Sequence, residues 1–206
     1  MKLLYLTFVF VFINLMVFAQ NYSKYGIDTD YNIPKGLEIG EMAPVFEGLN
    51  QNGIRISLSE ELKKGKVVLI FYRGYWCPYC SRYLKQYQDS LQMVIKEGAQ
   101  IIAITPEHNE GVNKTIQIIK SDFDIISDVN NSIQKQYNVL FKVTDKYNMK
   151  IKRFLSADIA IVNGDEEAFL PVPATIIIGQ NGIIEYIQFD PNYKKRASVR
   201  DILENL

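Results

Sequence analysis

Residues 67–80, VVLIFYRGYWCPYC, decide the fold of this chain and contain both of its cysteines. The first six, residues 67–72, form an unbroken apolar run, which is typical of a central strand buried on both faces. After Cys77 and Pro78, apolar residues recur at helical spacing, beginning with Leu84. The segment therefore predicts a buried strand that passes through a short loop into a helix, with the two cysteines at the junction.

Strand and helix patterns alternate on both sides of this segment. Asn181 and Gly182 separate two β-rich runs, which is typical of a hairpin. Residues 142–156 are interpreted as a basic surface insertion carrying a helix, and Ser198 as the cap of a last helix over 198–206. The other predicted helices span residues 84–95, 112–119 and 132–137. The predicted strands are residues 55–58, 67–72, 101–105, 125–128, 174–178 and 183–187. This order predicts an α/β fold with a mixed central β-sheet flanked by helices on both faces.

The composition excludes several classes of protein. The chain has 206 residues, and its 23 Lys and Arg balance its 23 Asp and Glu. Non-specific nucleic-acid binding needs a basic excess, so no nucleic-acid partner is predicted. Two cysteines and one histidine exclude a disulfide-dense scaffold and a histidine-rich metal centre. The sequence contains no nucleotide, flavin or metal motif, and no cofactor is predicted.

The amino terminus has the pattern of a secretory signal. Lys2 precedes an apolar run over residues 3–19, which ends at Ala19 with residues that a signal peptidase accepts. We expect cleavage after Ala19, a secreted or periplasmic mature protein, and no stable membrane insertion after cleavage. An uncleaved membrane anchor is the alternative, since the run reaches the lower limit of a membrane span. The predicted organisation is a signal peptide over residues 1–19, an extended lead-in over 20–37 and one domain over 38–206.

The residue types around Cys77 favour redox chemistry. The first turn of a helix presents unpaired N–H groups and a positive dipole end, which stabilise a thiolate at Cys77. Pro78 suits the first helical position, and Cys80 lies one turn further on the same face, within reach of a disulfide. Arg73 is placed to lower the pKa of Cys77 or to hold a substrate. Trp76 is predicted to shield the disulfide or contact a partner, unless its role is packing alone.

Two alternatives compete with a redox dithiol. Both cysteines could be inert core residues, although a Cys-x-x-Cys at a strand-to-helix junction argues against this. A zinc site needs about four ligands, and besides Cys77 and Cys80 the sequence offers only His108. Tyr79, like Trp76, is predicted to shield the disulfide or contact a partner, unless its role is packing alone. The redox dithiol is the favoured hypothesis, with no metal.

Four segments resemble the AhpC/TSA peroxiredoxin-like branch of the thioredoxin superfamily. Residues 71–80 (FYRGYWCPYC) are similar to its cysteine signature, and residues 40–46 (GEMAPVF) to its G-x-x-A-P-x-F motif. The similarity continues in residues 171–175 (PVPAT) and 190–193 (DPNY), so it covers about residues 38–206. It implies a thioredoxin-like fold, a reactive first cysteine and homodimerisation, although no segment marks an interface.

The resemblance also implies a cis peptide between Val172 and Pro173, facing the two cysteines. The chain departs from the family pattern P-x-x-x-T-x-x-C, because Ile70 occupies the proline position and Gly74 the threonine position. Pro173 occupies the position of the family's second arginine. Arg73 is the residue that could replace the missing charge, from a different direction.

Two enzyme functions follow from these observations. The first is a thiol-dependent peroxidase that reduces hydrogen peroxide or organic hydroperoxides through a Cys77 sulfenate and a Cys77–Cys80 disulfide. An external reductant, either a thioredoxin-like protein or a low-molecular-weight thiol, then restores the two thiols. The second is a thiol–disulfide oxidoreductase acting on secreted proteins, favoured by the Cys-Pro-Tyr-Cys motif and the missing threonine and arginine. A binding or assembly module whose disulfide is purely structural is a third hypothesis, disfavoured because so short a loop stabilises a fold little.

Overall fold

The computed structural model describes residues 22–206, so the predicted signal peptide lies outside the described residues. Its strands are β1 (Glu47–Leu49), β2 (Arg55–Ser57), β3 (Lys66–Phe71), β4 (Ala99–Thr105), β5 (Asp124–Ser127), β6 (Leu140–Lys142), β7 (Phe169–Pro171), β8 (Ala174–Ile178) and β9 (Ile184–Phe189). Its helices are α1 (Leu58–Lys64), α2 (Pro78–Asp89), α3 (Leu91–Lys96), α4 (Asn109–Ile119), α5 (Ser132–Gln136), α6 (Asp145–Leu155), α7 (Ile159–Asn163) and α8 (Val199–Glu204).

A five-stranded sheet in the order β5-β4-β3-β8-β9 forms the centre of the molecule. Strands β3, β4 and β5 are parallel, whereas β8 is antiparallel to both β3 and β9. The predicted mixed sheet is therefore confirmed. Strand β3 occupies its middle, as the unbroken apolar run predicts.

Alternate residues of β3 supply two separate cores. Val68 and Ile70 pack into the larger core, which includes both cysteines, and Val67, Leu69 and Phe71 pack into the opposite one. Helices α2, α3, α4, α6, α7 and α8 cover the first face, and α1 and α5 cover the second. Helices on both faces are confirmed, because period-two alternation sends successive side chains of a strand to opposite sides.

Several local predictions need correction. Leu58, predicted at the end of a strand, instead begins α1. The helix predicted over residues 84–95 is two helices separated at Ser90, whose N–H bonds back to the carbonyls of Gln86 and Tyr87. Strands β6 and β7 form an additional two-stranded sheet without a clear alternating pattern. The predicted surface insertion carries α6 as expected, but this helix buries Tyr147 and Ile151 in the larger core.

The predicted cis peptide between Val172 and Pro173 is wrong, because the described residues contain no cis peptide bond. Pro171 pairs with Leu140 in β6, and the Val172 N–H donates to the Val139 carbonyl at 2.8 Å. The chain thus runs extended from β7 into β8, a path that the trans isomer follows. The trans form of an X–Pro bond is also intrinsically favoured by about 0.5–1 kcal/mol.

The hairpin at Asn181-Gly182 and the Ser198 cap are confirmed. Ser198 Oγ accepts from the Asp201 N–H, and the Asp201 carboxylate accepts from the Ser198 N–H, which completes a capping box. The lead-in contacts the domain at Ile27, which is buried and bridges to Val143. Within residues 22–206, none of the helices has both the length and the hydropathy to cross a bilayer.

Candidate active site

The loop after β3 places Cys77 at the amino end of α2. Cys77 is the N-cap residue, Pro78 follows at the first helical position, and the Cys77 sulfur accepts from the Cys80 N–H at 3.3 Å. This is the geometry that the sequence predicts, because the helix terminus supplies an N–H group that lacks an intrahelical acceptor.

Gly74 gives this loop a shape that other residues do not tolerate. Its φ is +149°, and an added Cβ would lie 2.4 Å from Glu107 Oε1 and 2.5 Å from Trp76 Nε1. A threonine at this position would collide with both groups. Gly74 leaves room for Glu107 and Trp76 and brings no side-chain hydroxyl to the site.

The two cysteines form a buried, contacting pair. Their sulfur atoms are 2.6 Å apart, and the two residues are 0% and 2% exposed. Arg73 Nη2 lies 3.1 Å from the Cys77 sulfur, and Arg196 Nη2 lies 3.8 Å from the Cys80 sulfur. Each sulfur therefore has a guanidinium group beside it.

The two thiols titrate as a unit. Burial raises the pKa of Cys77, as does its contact with Cys80, while the Arg73 charge opposes the rise. Burial acts in the same direction on Cys80, but its hydrogen bond with Cys77 and the charges of Arg196 and Arg73 bring the pKa well below the usual range. Sulfurs in contact share one proton and one negative charge. The predicted thiolate is thus held by the pair rather than by Cys77 alone.

Arg73 is buried without a carboxylate partner. It is 2% exposed, and within residues 22–206 it forms no ion pair with an Asp or Glu side chain. Burial alone would lower the pKa of its guanidinium, but the charge at Cys77 raises the pKa above its ordinary value. An unpaired buried cation is costly, so the thiolate is its counter-ion.

Aromatic side chains and one hydroxyl hold this guanidinium in place. Arg73 Nη1 donates to the Tyr147 hydroxyl at 2.8 Å, and the guanidinium carbon lies 3.8 Å from the Tyr193 ring centroid. The centroid of the Trp76 ring lies 5.3 Å from the same carbon. Cation–π contacts of this kind strengthen when they are shielded from water.

A small pocket lies beside the dithiol. Its volume is about 210 Å³, and its lining is mainly apolar but includes the charged residues Arg73 and Lys150 and the hydroxyl-bearing Tyr147. Pro78, Tyr79 and Tyr193 contribute further walls, and the Tyr79 and Tyr193 rings meet edge to face at 5.5 Å. The pocket is large enough for a small organic molecule next to the Arg73 guanidinium.

The structure brings most of the predicted site residues together. Arg73, Trp76, Pro78 and Tyr79 surround the dithiol or its pocket. Pro173 directly precedes β8, whose Ala174 pairs with Phe71, so it lies at the same end of the sheet. The structure also brings in Glu107, Tyr147 and Arg196, which no sequence motif marks, and Tyr193, the last residue of the DPNY segment.

Glu107 is a buried carboxyl group behind the active-site loop. It is 0% exposed and accepts from the Tyr75 N–H at 3.0 and 3.2 Å. Burial raises its pKa to about 8. Gly111 leaves room for this side chain, since an added Cβ there would lie 2.8 Å from its carboxyl carbon.

His108 lies outside the site. Its side chain is exposed and packs against Gly164, where an added Cβ would lie 1.5 Å from the His108 ring. Among residues 22–206, no three His, Cys, Asp or Glu side chains are grouped as metal ligands.

Comparisons with known proteins place the chain in a family. A family model described as AhpC/TSA family matches residues 39–187. A putative peroxiredoxin bcp of Helicobacter pylori is 27% identical over 170 residues, which cover 82% of this chain and 98% of the relative. The chloroplastic peroxiredoxin Q of Oryza sativa subsp. japonica is also 27% identical, with 81% of this chain and 67% of the relative covered.

Solved structures show the same fold. The peroxidoxin BcpB of Mycobacterium tuberculosis matches with a TM-score of 0.60 at 18% identity, covering 74% of this chain and 86% of that structure. The yeast mitochondrial 1-Cys peroxiredoxin matches with a TM-score of 0.61, also at 18% identity, covering 81% and 73%. The chain belongs to the AhpC/TSA family and is a peroxiredoxin-type oxidoreductase with a thioredoxin-like fold.

Proposed function

We propose that this protein is a thiol-dependent peroxidase that reduces hydrogen peroxide or organic hydroperoxides through Cys77. The observation that carries this proposal is the buried Arg73 guanidinium, which lies 3.1 Å from the Cys77 sulfur without a carboxylate partner among residues 22–206. Such a charge stabilises the attacking thiolate and then the oxygen that leaves.

The proposed reaction uses both cysteines. Transfer of the shared proton to Cys80 leaves the negative charge on Cys77, beside Arg73 and the Cys80 N–H. The Cys77 sulfur attacks the terminal oxygen of the peroxide; an S–O bond forms, the O–O bond breaks, and an alcohol or water leaves. Cys80 then attacks the sulfenic sulfur, releasing water and forming the disulfide. An external dithiol reduces that disulfide and is itself oxidised.

The enclosed position of Cys77 favours a small substrate. Its sulfur has no exposed surface, whereas the adjacent pocket of about 210 Å³ opens beside Arg73. A peroxide fits in such a pocket, and because neither sulfur lines it, the attack requires local side-chain movement near Arg73. A protein disulfide needs a sulfur at the surface, so the second function requires a larger rearrangement.

A thiol–disulfide oxidoreductase is the second candidate function. The contact of 2.6 Å between the two sulfurs supports it, because Cys80 is in position to resolve a mixed disulfide at Cys77. In this role the protein would act on disulfides of secreted proteins. Both candidates share the extracytoplasmic location that we propose from the amino-terminal apolar run, and both use a dithiol partner.

The deciding experiment follows Trp76, the single tryptophan of the chain. The reduced mature protein is mixed with hydrogen peroxide or an alkyl hydroperoxide in a stopped-flow fluorimeter, with Cys77→Ser and Cys80→Ser as variants. We expect a fast fluorescence change whose rate rises with peroxide concentration, and which Cys77→Ser abolishes. Cys80→Ser should retain the first oxidation but lose disulfide formation.

Insulin reduction is measured in parallel. A slow or absent response to peroxide, with rapid turnover of insulin disulfides and a mixed disulfide trapped in Cys80→Ser, would replace the peroxidase with the second candidate.

A further inference from the structure

Tyr147 shares the Arg73 guanidinium with the reactive sulfur. Arg73 Nη1 donates to the Tyr147 hydroxyl at 2.8 Å, while Nη2 of the same group lies 3.1 Å from the Cys77 sulfur. Tyr147 belongs to α6, 70 positions further along the chain than Cys77, and no motif in the sequence marks it. The fold therefore brings an additional O–H group to the site.

The Tyr147 hydroxyl has a proton that it can donate to a ligand. Its oxygen accepts the hydrogen bond from Arg73, and the phenol can still donate one proton. No acceptor for that proton lies within hydrogen-bond distance among the residues that the structure describes. Tyr147 and Arg73 both line the pocket of about 210 Å³. A peroxide in the pocket would supply the missing acceptor.

The ring of Tyr147 is tightly held. The residue is 7% exposed, and its ring packs against Gly26, where an added Cβ would lie 2.4 Å from the ring. The Gly26 carbonyl also accepts from the Thr144 N–H at 2.9 Å, which ties the lead-in to the start of α6. A donor that is fixed before the substrate arrives needs no reorganisation during the reaction.

The chemistry requires such a donor. When a thiolate attacks hydrogen peroxide or an alkyl hydroperoxide, the oxygen that leaves is strongly basic until it is protonated. Gly74, in the loop before Cys77, has no side-chain hydroxyl that could serve as the donor. A phenol remains protonated at neutral pH, and burial raises the pKa of Tyr147 further.

The geometry points to Tyr147 as the proton donor to the leaving oxygen, an inference that rests on the proposed peroxidase function. The Cys77 sulfur bonds to the terminal peroxide oxygen as the O–O bond breaks. The Tyr147 proton passes to the departing oxygen, giving an alcohol or water. The phenolate, beside Arg73, regains a proton from solvent, so each oxidation consumes one solvent proton and leaves a sulfenic acid.

The test compares two oxidants that differ in the leaving group. Hydrogen peroxide releases a basic oxygen, whereas peracetic acid, freed of hydrogen peroxide by catalase, releases acetate, which needs no proton. For Tyr147→Phe we expect the rate constant with hydrogen peroxide to fall about 10²-fold, and that with peracetic acid by about threefold or less. Both are measured by Trp76 fluorescence in the stopped-flow experiment.

Tyr137→Phe is the matched control. Tyr137 is also buried, but its hydroxyl bonds to the Pro44 carbonyl in the opposite core, away from the dithiol. This variant loses a buried hydroxyl and its hydrogen bond without touching Arg73, so both rate constants should stay close to those of the wild type.

Each outcome decides the inference. An equal fall with both oxidants in Tyr147→Phe would mean that Tyr147 only positions Arg73, and it would overturn a role in proton donation. An unchanged rate with hydrogen peroxide would overturn it as well. A wild-type protein that reacts with neither oxidant would overturn the proposed function itself, and the inference with it.

Discussion

The loops after β3 and β5 follow parallel strands at the same edge of the sheet, and each contains a buried charged residue. The two residues differ in how completely their polar atoms are hydrogen-bonded. After β5, Asp128 accepts from the Ile133 and Gln134 N–H groups, the Gln134 amide and the Ser132 hydroxyl. After β3, Arg73 has no carboxylate partner among residues 22–206, and its Nε is unbonded there, as is Trp76 Nε1.

The difference distinguishes a buried charge that stabilises the fold from one that takes part in the reaction. A buried carboxylate with every oxygen bonded stabilises the loop and the start of α5. A buried cation whose N–H groups are not all hydrogen-bonded destabilises the fold unless a reacting group supplies the missing partner. The loop after β4 lies between them and has an intermediate number of hydrogen bonds to its buried ionisable group. Within the described part of the chain, the Glu107 carboxyl accepts only the Tyr75 N–H. Three substitutions test this comparison.

Arg73→Gln should have the largest effect. We expect the rate constant for oxidation by hydrogen peroxide to fall about 10²- to 10³-fold, because both the thiolate and the leaving oxygen lose their positive partner. Stopped-flow fluorescence of the reduced protein measures the rate. Arg200→Gln is the control, since Arg200 is exposed in α8 and pairs with Glu204. A wild-type rate in Arg73→Gln would show that Arg73 serves packing alone.

Asp128→Ala should destabilise the fold without slowing the chemistry. It leaves several buried donors unbonded, for which we expect a loss of about 2–3 kcal/mol in the free energy of unfolding, measured in urea. The peroxide rate constant of the folded variant should stay within about twofold of the wild type, because the Asp128 carboxylate bonds to Ser132, Ile133 and Gln134 and shares no partner with Arg73. Asp89→Ala, which breaks an exposed pair with Lys85, should cost less than about 1 kcal/mol. A large fall in peroxide rate would mean that the two loops are coupled.

Glu107→Gln should change how stability depends on pH. Burial raises the pKa of Glu107 to about 8, far above its value in the unfolded chain. The folded state therefore holds this proton more tightly, so its contribution is fully present below about pH 4 and is lost as the pH rises through about 8. Charged groups near it are the Cys80 thiolate, which raises its pKa, and Lys114, which lowers it.

The wild type should consequently lose about 1–3 kcal/mol of unfolding free energy between pH 5 and pH 8 through this group, and Glu107→Gln should lose less. Glutamine keeps an oxygen for the Tyr75 N–H, so the variant should be the more stable protein at pH 8. Urea unfolding at several pH values measures the slope. Glu110→Gln, in an exposed pair with Lys114, is the control and should retain the wild-type slope. If the stability of Glu107→Gln depended on pH as that of the wild type does, Glu107 would be ionised in the folded wild-type protein over this pH range.

Prediction from sequence succeeded where the signal was local. The apolar run of β3, the hairpin at Asn181-Gly182 and the cap at Ser198 all appear in the structure. Prediction failed mainly where contacts between residues distant in sequence determine the local structure. The burial of α6 depends on contacts with the lead-in and the larger core, whereas the break at Ser90 involves local hydrogen bonds that no sequence pattern marks.

The sequence by itself determined the mixed sheet, the position of Cys77 at a helix amino end and the presence of a nearby arginine. These features follow from hydrophobic periodicity and helix-terminus chemistry, which act over a few residues. Only the tertiary structure decided what surrounds that arginine. Tyr147 is 74 residues from Arg73 in sequence, and Arg196 is 116 residues from Cys80. Such contacts depend on how whole elements pack, and no local pattern encodes them.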